Sequence, residues 1–268
     1  MNNFLTRSIT AIFFAIASIA AIYNEHFVQV YFLLICSIGL KEYYLMLGNQ
    51  SRKSINQVYI LLGIATFVIF SMIQLDKLDA KFSYLPIAFL AFVFIAELYL
   101  KSEKPFEEIS IVSNSIIYVV MPLIAYTSLG YMNGSYNYEV PMGMLFLIWA
   151  NDTGAYLLGI SFGKHRLFER ISPKKSWEGF FGGMALAIIA GYILSGYFQS
   201  LAMQHWIIIA LIVVIFGTLG DLIESMLKRS KGLKDSGSIL PGHGGALDRF
   251  DGLLIAAPMV YLYLHLFL

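Results

Sequence analysis

The chain has 268 residues, 58% of them hydrophobic and 13% charged, with a mean hydropathy of +0.71. A soluble domain sits near half apolar and a quarter charged, so a water-soluble fold is excluded. A formal net charge of +1 argues against a nucleic-acid binder, which needs many cations to neutralise phosphates, and the single cysteine, Cys36, excludes an intrachain disulfide and a cysteine-rich metal site.

A bilayer core needs about 20 mostly apolar residues per helical crossing. Nine such runs are predicted, at 8–24, 27–47, 57–75, 84–100, 111–132, 142–162, 180–201, 206–227 and 250–268. They define an all-α, polytopic integral membrane protein. In the first run Arg7 precedes a short stretch rich in Ala and Ser, as in a signal peptide, but another apolar run follows within a few residues, which favours a membrane helix. The second run carries Lys41 and Glu42 in its last third, where they would pair or reach the interface. Lys and Arg are retained on the cytoplasmic side of a membrane. With the N-terminus inside, 16 of the 18 fall in cytoplasmic segments, and only Lys77 and Lys81 lie outside. The economical organisation is one membrane domain over 1–268. Residues 1–140 supply N-terminal crossings, and 141–268 supply catalytic helices with cytoplasmic loops at 163–179 and 228–249.

An ionisable residue inside a membrane segment costs about 2.5 to 3.5 kcal/mol, so its default reading is functional. Glu97 lies near enough to a helix end to read as structural. Asp152, beside Asn151, is deeper, and a helix–helix polar contact explains it as well as a site does. The 163–179 loop is no phosphate-binding P-loop, because its glycine spacing is too short and His165 stands where Ser or Thr is needed. Ser172-Pro173 predicts a helix start, with Lys174 and Lys175 at its anion-friendly N-terminus. His165, His205 and His265 show no ligand spacing.

The eighth run ends with Asp221, Glu224 and Ser225 at spacings that stack them on one side of a helix. Lys228, Arg229, Lys231 and Lys234 follow, then a glycine-rich turn around His243, then Asp248, Arg249 and Asp251. Glycines let the backbone approach a ligand, and consecutive N–H groups in such turns suit anions, phosphate above all. Carboxylates beside clustered cations recur where Mg²⁺ is held against phosphate oxygens, and Asp221, Asp248 and Asp251 would suffice. Lys53, Lys101 and Lys104 read instead as contacts to anionic lipid headgroups.

The stretch Ser225 to Asp251 closely resembles the signature of the phosphatidate cytidylyltransferases, or CDP-diacylglycerol synthases. Ser172-Pro-Lys-Lys-Ser-Trp-Glu-Gly and Asn151-Asp152-Thr-Gly-Ala-Tyr are similar to further motifs of that family, whereas the first 140 residues match only in character. One departure is Ala246, where the family has a larger aliphatic residue. The resemblance implies that CTP and phosphatidate give CDP-diacylglycerol and pyrophosphate, with Mg²⁺ required, K⁺ nearby, and a homodimeric assembly. By that analogy Asp221 and Asp248 are metal ligands. Lys228, Arg229, Lys234 and Arg249 would meet phosphate oxygens, and Lys174 and Lys175 the triphosphate or the lipid phosphate. Asp235 and His243 would shape the loop or contact the nucleotide, while Asn151, Asp152, Ser172 and Asp251 complete the substrate site. A phosphate monoester has a second pKa of about 6, so phosphatidate needs no general base. The rival readings are a CTP-dependent enzyme acting on another lipid, either a cytidylyltransferase or a kinase, and a transporter of an anionic metabolite. A transporter would place charge near mid-membrane on broken helices in repeated halves.

Overall fold

The computed structural model describes residues 3–48, 52–237 and 244–268, and among these the predicted all-α architecture is found. Helices α1 (Asn3–Ile22), α2 (Glu25–Leu47), α3 (Lys53–Gln74) and α4 (Leu85–Tyr99) come first. A continuous helical rod follows, made of α5 (Pro105–Ser115), a π-helical turn at Ile116–Val120 and α6 (Met121–Ser128). Next come α7 (Glu139–Phe162), a hairpin of β1 (Arg166–Phe168) and β2 (Ser172–Ser176), α8 (Trp177–Tyr197), α9 (Met203–Ser230) and α10 (Leu247–Phe267). Eight of these helical rods are long and apolar enough to cross a bilayer, and α1 contributes a shorter apolar stretch, Thr10–Ile22. Nine helical rods thus correspond to the nine predicted runs among the described residues.

Several boundaries shift for local reasons. The fifth rod starts at Pro105, six residues before the predicted run, because Pro suits a first helical turn and because Glu108 is buried against Arg52 at 3.5 Å. Helix α9 runs to Ser230 and α10 begins at Leu247, so Lys228, Arg229, Asp248 and Arg249 are helical rather than loop residues. The helix start expected at Ser172-Pro173 is not found. That segment pairs as β2 with β1, Phe168 opposite Ser172 and Arg166 opposite Ser176. A two-stranded sheet has only edge strands, where Pro173 and its missing N–H are tolerated. The cap is Ser176 instead, whose Oγ accepts from the Gly179 N–H at 3.2 Å. Glu178 closes the hairpin base by accepting from the backbone of Lys164 and His165, and its carboxylate lies 2.6 Å from the His165 ring.

A continuous apolar core runs from Ile22 to Leu264, with Phe32, Phe67, Tyr126 and Trp206 fully buried. Large apolar side chains such as Phe13, Leu98 and Ile160 are exposed outside it, as a lipid-facing surface requires. Glu97 is buried rather than interfacial: Arg52 grips it with both guanidinium nitrogens at 2.8 and 3.1 Å, and the Tyr59 hydroxyl donates to it at 2.5 Å. Helices α7 to α10 approach closely because small residues line their crossings. A Cβ on Gly220 would lie 2.5 Å from the Asp251 carbonyl oxygen, and one on Gly154 equally near that of Gly182. Any larger residue at Gly220 would push α10 away from α9, and with it the acids that α10 carries.

Candidate active site

At 28 residues, α9 is about 42 Å long, against about 30 Å of hydrocarbon, so its final turns emerge beside the start of α10 and the hairpin. A cavity of about 520 Å³ opens there. Its charged lining comes from Asp152 on α7, Lys174 and Lys175 on β2, Asp221 and Lys228 on α9, Asp235 in the loop, and Asp248, Arg249 and Asp251 on α10. Ile148, Val213 and Leu253 give it an apolar floor.

The charges are ordered in pairs. Lys175 Nζ lies 2.6 Å from Asp221 Oδ2, and Ser225 donates to the other Asp221 oxygen at 3.2 Å. Lys228, only 8% exposed, bridges Glu224 at 2.6 Å and Asp248 at 2.5 Å. Asp248 also accepts from the Gly245 N–H at 2.7 Å and from the Ser236 N–H and hydroxyl, each at 3.0 Å. Gly244 adopts φ +82°, a left-handed turn that favours glycine, and this points the following N–H at Asp248. The Arg249 guanidinium makes no hydrogen bond or ion pair among the described residues and faces the cavity.

Most of the predicted site residues therefore converge. Asn151 is buried in the cavity wall, and Asp251 accepts from the Gly252 N–H at 2.7 Å. Three predicted residues stand apart from the lining. Ser172 is in the hairpin, Lys234 is exposed in the loop, and Arg229 donates to the Leu233 carbonyl at 2.8 Å, closing the end of α9. His243 lies outside the described residues.

The residue that sequence reasoning missed is Glu42. It neither pairs with Lys41 nor reaches the interface. It is 1% exposed and accepts from the Ser236 hydroxyl at 3.1 Å and from the N–H groups of Ala246 and Leu247 at 2.9 and 3.0 Å. A carboxylate from α2 thus caps α10 and fixes the turn that carries Asp248. A small residue at 246 fits this seat, since Ala246 is itself buried beside the carboxylate. Glu42→Gln puts an amide N–H against one of these donors, leaving a buried donor unsatisfied at a cost of about 1 to 3 kcal/mol. The expected result is a lower melting temperature and lower turnover together, with turnover falling most at the temperatures nearest melting.

A second void of about 280 Å³ lies beside the cavity and shares Ile148, Asp152, Arg249 and Leu253 with its lining. Its other walls are Ala11, Phe14 and Ala15 of α1 with Leu145 and Trp149 of α7, so it is an apolar slot with a charged inner rim.

Fold and site together define a polytopic membrane protein that gathers a mixed-charge, polyanion-sized cavity at one end of its helices. The chain belongs to the cytidylyltransferase family, whose model matches residues 5–267. It is 43% identical over 150 residues to the phosphatidate cytidylyltransferase of Staphylococcus epidermidis, across 53% of this chain and 56% of that protein. It is 39% identical over 172 residues to that of Bacillus subtilis, across 62% of each chain. The matched stretch thus spans little more than half the length of the curated relatives.

Proposed function

We propose that this protein transfers the cytidylyl group of CTP to phosphatidate, giving CDP-diacylglycerol and pyrophosphate. The observation that carries this reading is the cavity itself, where Lys174, Lys175, Lys228 and Arg249 face five aspartates beside an apolar slot. Membership of the cytidylyltransferase family and the names of its relatives agree with it. A transporter reading is disfavoured because the charge is gathered at one end, and the fifth rod, with its π-helical turn, contributes no residue to the cavity lining.

In this reading the nucleotide occupies the charged half and the lipid phosphate reaches Arg249 from the slot, its acyl chains among Phe14, Leu145 and Trp149. A phosphatidate oxygen attacks the α-phosphorus, the bond from that phosphorus to the α,β-bridging oxygen breaks, and pyrophosphate leaves carrying that oxygen. No proton needs removal from a dianionic nucleophile, so the four cations of the lining need only neutralise and position the phosphates. Lys175 is held by Asp221 until phosphate oxygens compete for it, and Lys228 keeps Asp248 charged and in place.

The donor set fits Mg²⁺. It is all oxygen, as suits an ion that takes one or two protein carboxylates and completes its shell with water and substrate oxygens. Asp221 and Asp248 are the residues proposed to hold it. Bound there, it would neutralise charge on the transferred phosphoryl group.

The test is labelled CTP with phosphatidate in detergent, following CDP-diacylglycerol and pyrophosphate. Pyrophosphate release that ignores phosphatidate, or none with both substrates and Mg²⁺ present, overturns the reading. Arg249→Lys is expected to lower turnover about a hundredfold with charge retained, since lysine cannot reproduce a planar two-oxygen grip. The same reading puts the cavity on the cytoplasmic face, where CTP is found, and groups the chains as homodimers. Reporter fusions at the hairpin and light scattering of the purified protein check these two points, and a hairpin outside the cell would defeat the activity as well.

A further inference from the structure

A second large opening lies between the C-terminal turns of α2 and the N-terminal turns of α3. It encloses about 580 Å³, within the roughly 300 to 1,000 Å³ of ligand pockets, and shares no lining residue with the reaction cavity. Its rim carries Lys41 and Lys53, and its walls include Tyr44, Leu45, Ile60 and Leu61, with no acidic residue in the lining. Both lysines are exposed and make no ion pair or hydrogen bond among the described residues. The neighbouring Arg52, by contrast, is committed to Glu97 and Glu108.

Depth decides what such a groove can hold. Helices α2 and α3 are both long and apolar enough to cross the bilayer; Lys53 opens α3 and Lys41 lies within the last two turns of α2, positions from which a lysine's long stem lets its ammonium reach the headgroups while the apolar walls face the acyl chains. Leu45 and Leu61 are 59% and 62% exposed, so the groove opens sideways to the acyl chains. A soluble anion would meet the rim but leave the apolar walls empty, and a neutral lipid would fill the walls but leave two cations unanswered. We propose that this groove binds one anionic phospholipid, its phosphate between Lys41 and Lys53 and one acyl chain along Leu45, Ile60 and Leu61. It is a resident lipid rather than a reacting one, because the groove is lined apart from the reaction cavity. Its seat on Lys41 adjoins Glu42, the anchor of the Asp248 turn.

The experiment is native mass spectrometry of the purified full chain, titrated with phosphatidylglycerol or phosphatidylcholine of identical acyl chains. The wild type is expected to keep one phosphatidylglycerol at concentrations where phosphatidylcholine is lost. Lys41→Gln/Lys53→Gln should weaken phosphatidylglycerol retention by on the order of tenfold and leave phosphatidylcholine unchanged. Leu61→Trp, which fills the groove from an exposed position, should weaken it too, while Lys77→Gln/Lys81→Gln at the other end of α3 should not. Equal retention of the two lipids by the wild type, or undiminished retention by the Lys41/Lys53 variant, overturns the proposal. Complete competition by glycerol 3-phosphate would also overturn it, since that would mark a site for soluble anions.

Discussion

Asp221→Asn is expected to lose at least about a hundredfold in turnover while the protein stays folded and inserted. Asparagine keeps the size of the side chain and can still accept from Ser225, but it removes the charge that holds Lys175 and that would bind a hard cation. The Asp221 side chain is 38% exposed, so its ion pair adds little to stability, about 1 kcal/mol at most. Activity and stability should therefore separate cleanly: pyrophosphate release collapses, and the melting temperature in detergent barely moves. Near-normal turnover at ordinary Mg²⁺ would remove Asp221 from the site.

Lys228→Met should behave in the opposite way, failing first in stability. Glu224 is fully buried, and its second oxygen has no hydrogen-bond partner among the described residues, so Lys228 is its main compensation. Removing one partner of a buried ion pair costs about 3 to 5 kcal/mol, because the remaining charge is left uncompensated. Lys228→Met/Glu224→Gln should recover much of the lost melting temperature. If turnover returns with it, Lys228 acts by positioning Asp248. If stability returns without turnover, its ammonium touches substrate.

What could be read from the sequence follows the range of the interactions involved. Hydropathy is a local property, and the nine runs fell on nine helical rods. The i,i+4 spacing of Glu224 and Lys228 was equally visible, although their burial was not. Ser172-Pro173 misled because two plausible caps lie four residues apart, and the choice was made by strand pairing between 166–168 and 172–176. Glu42 could not have been found this way, since its partners lie 194 to 205 residues along the chain and no local pattern marks the pairing. A charged residue in an apolar run, at a helix end with no opposite charge in register, was the one available signal.

The Glu42 tether also bears on biogenesis. Membrane helices are delivered in order of synthesis, so the carboxylate that seats the Asp248 turn is in the bilayer long before the turn itself has been translated. The anchor waits, and the last helix completes the site by docking onto it. Nascent chains halted before α10 would thus be inserted yet catalytically silent, and two separately expressed halves would gain activity only by reassembling across the α2–α10 contact.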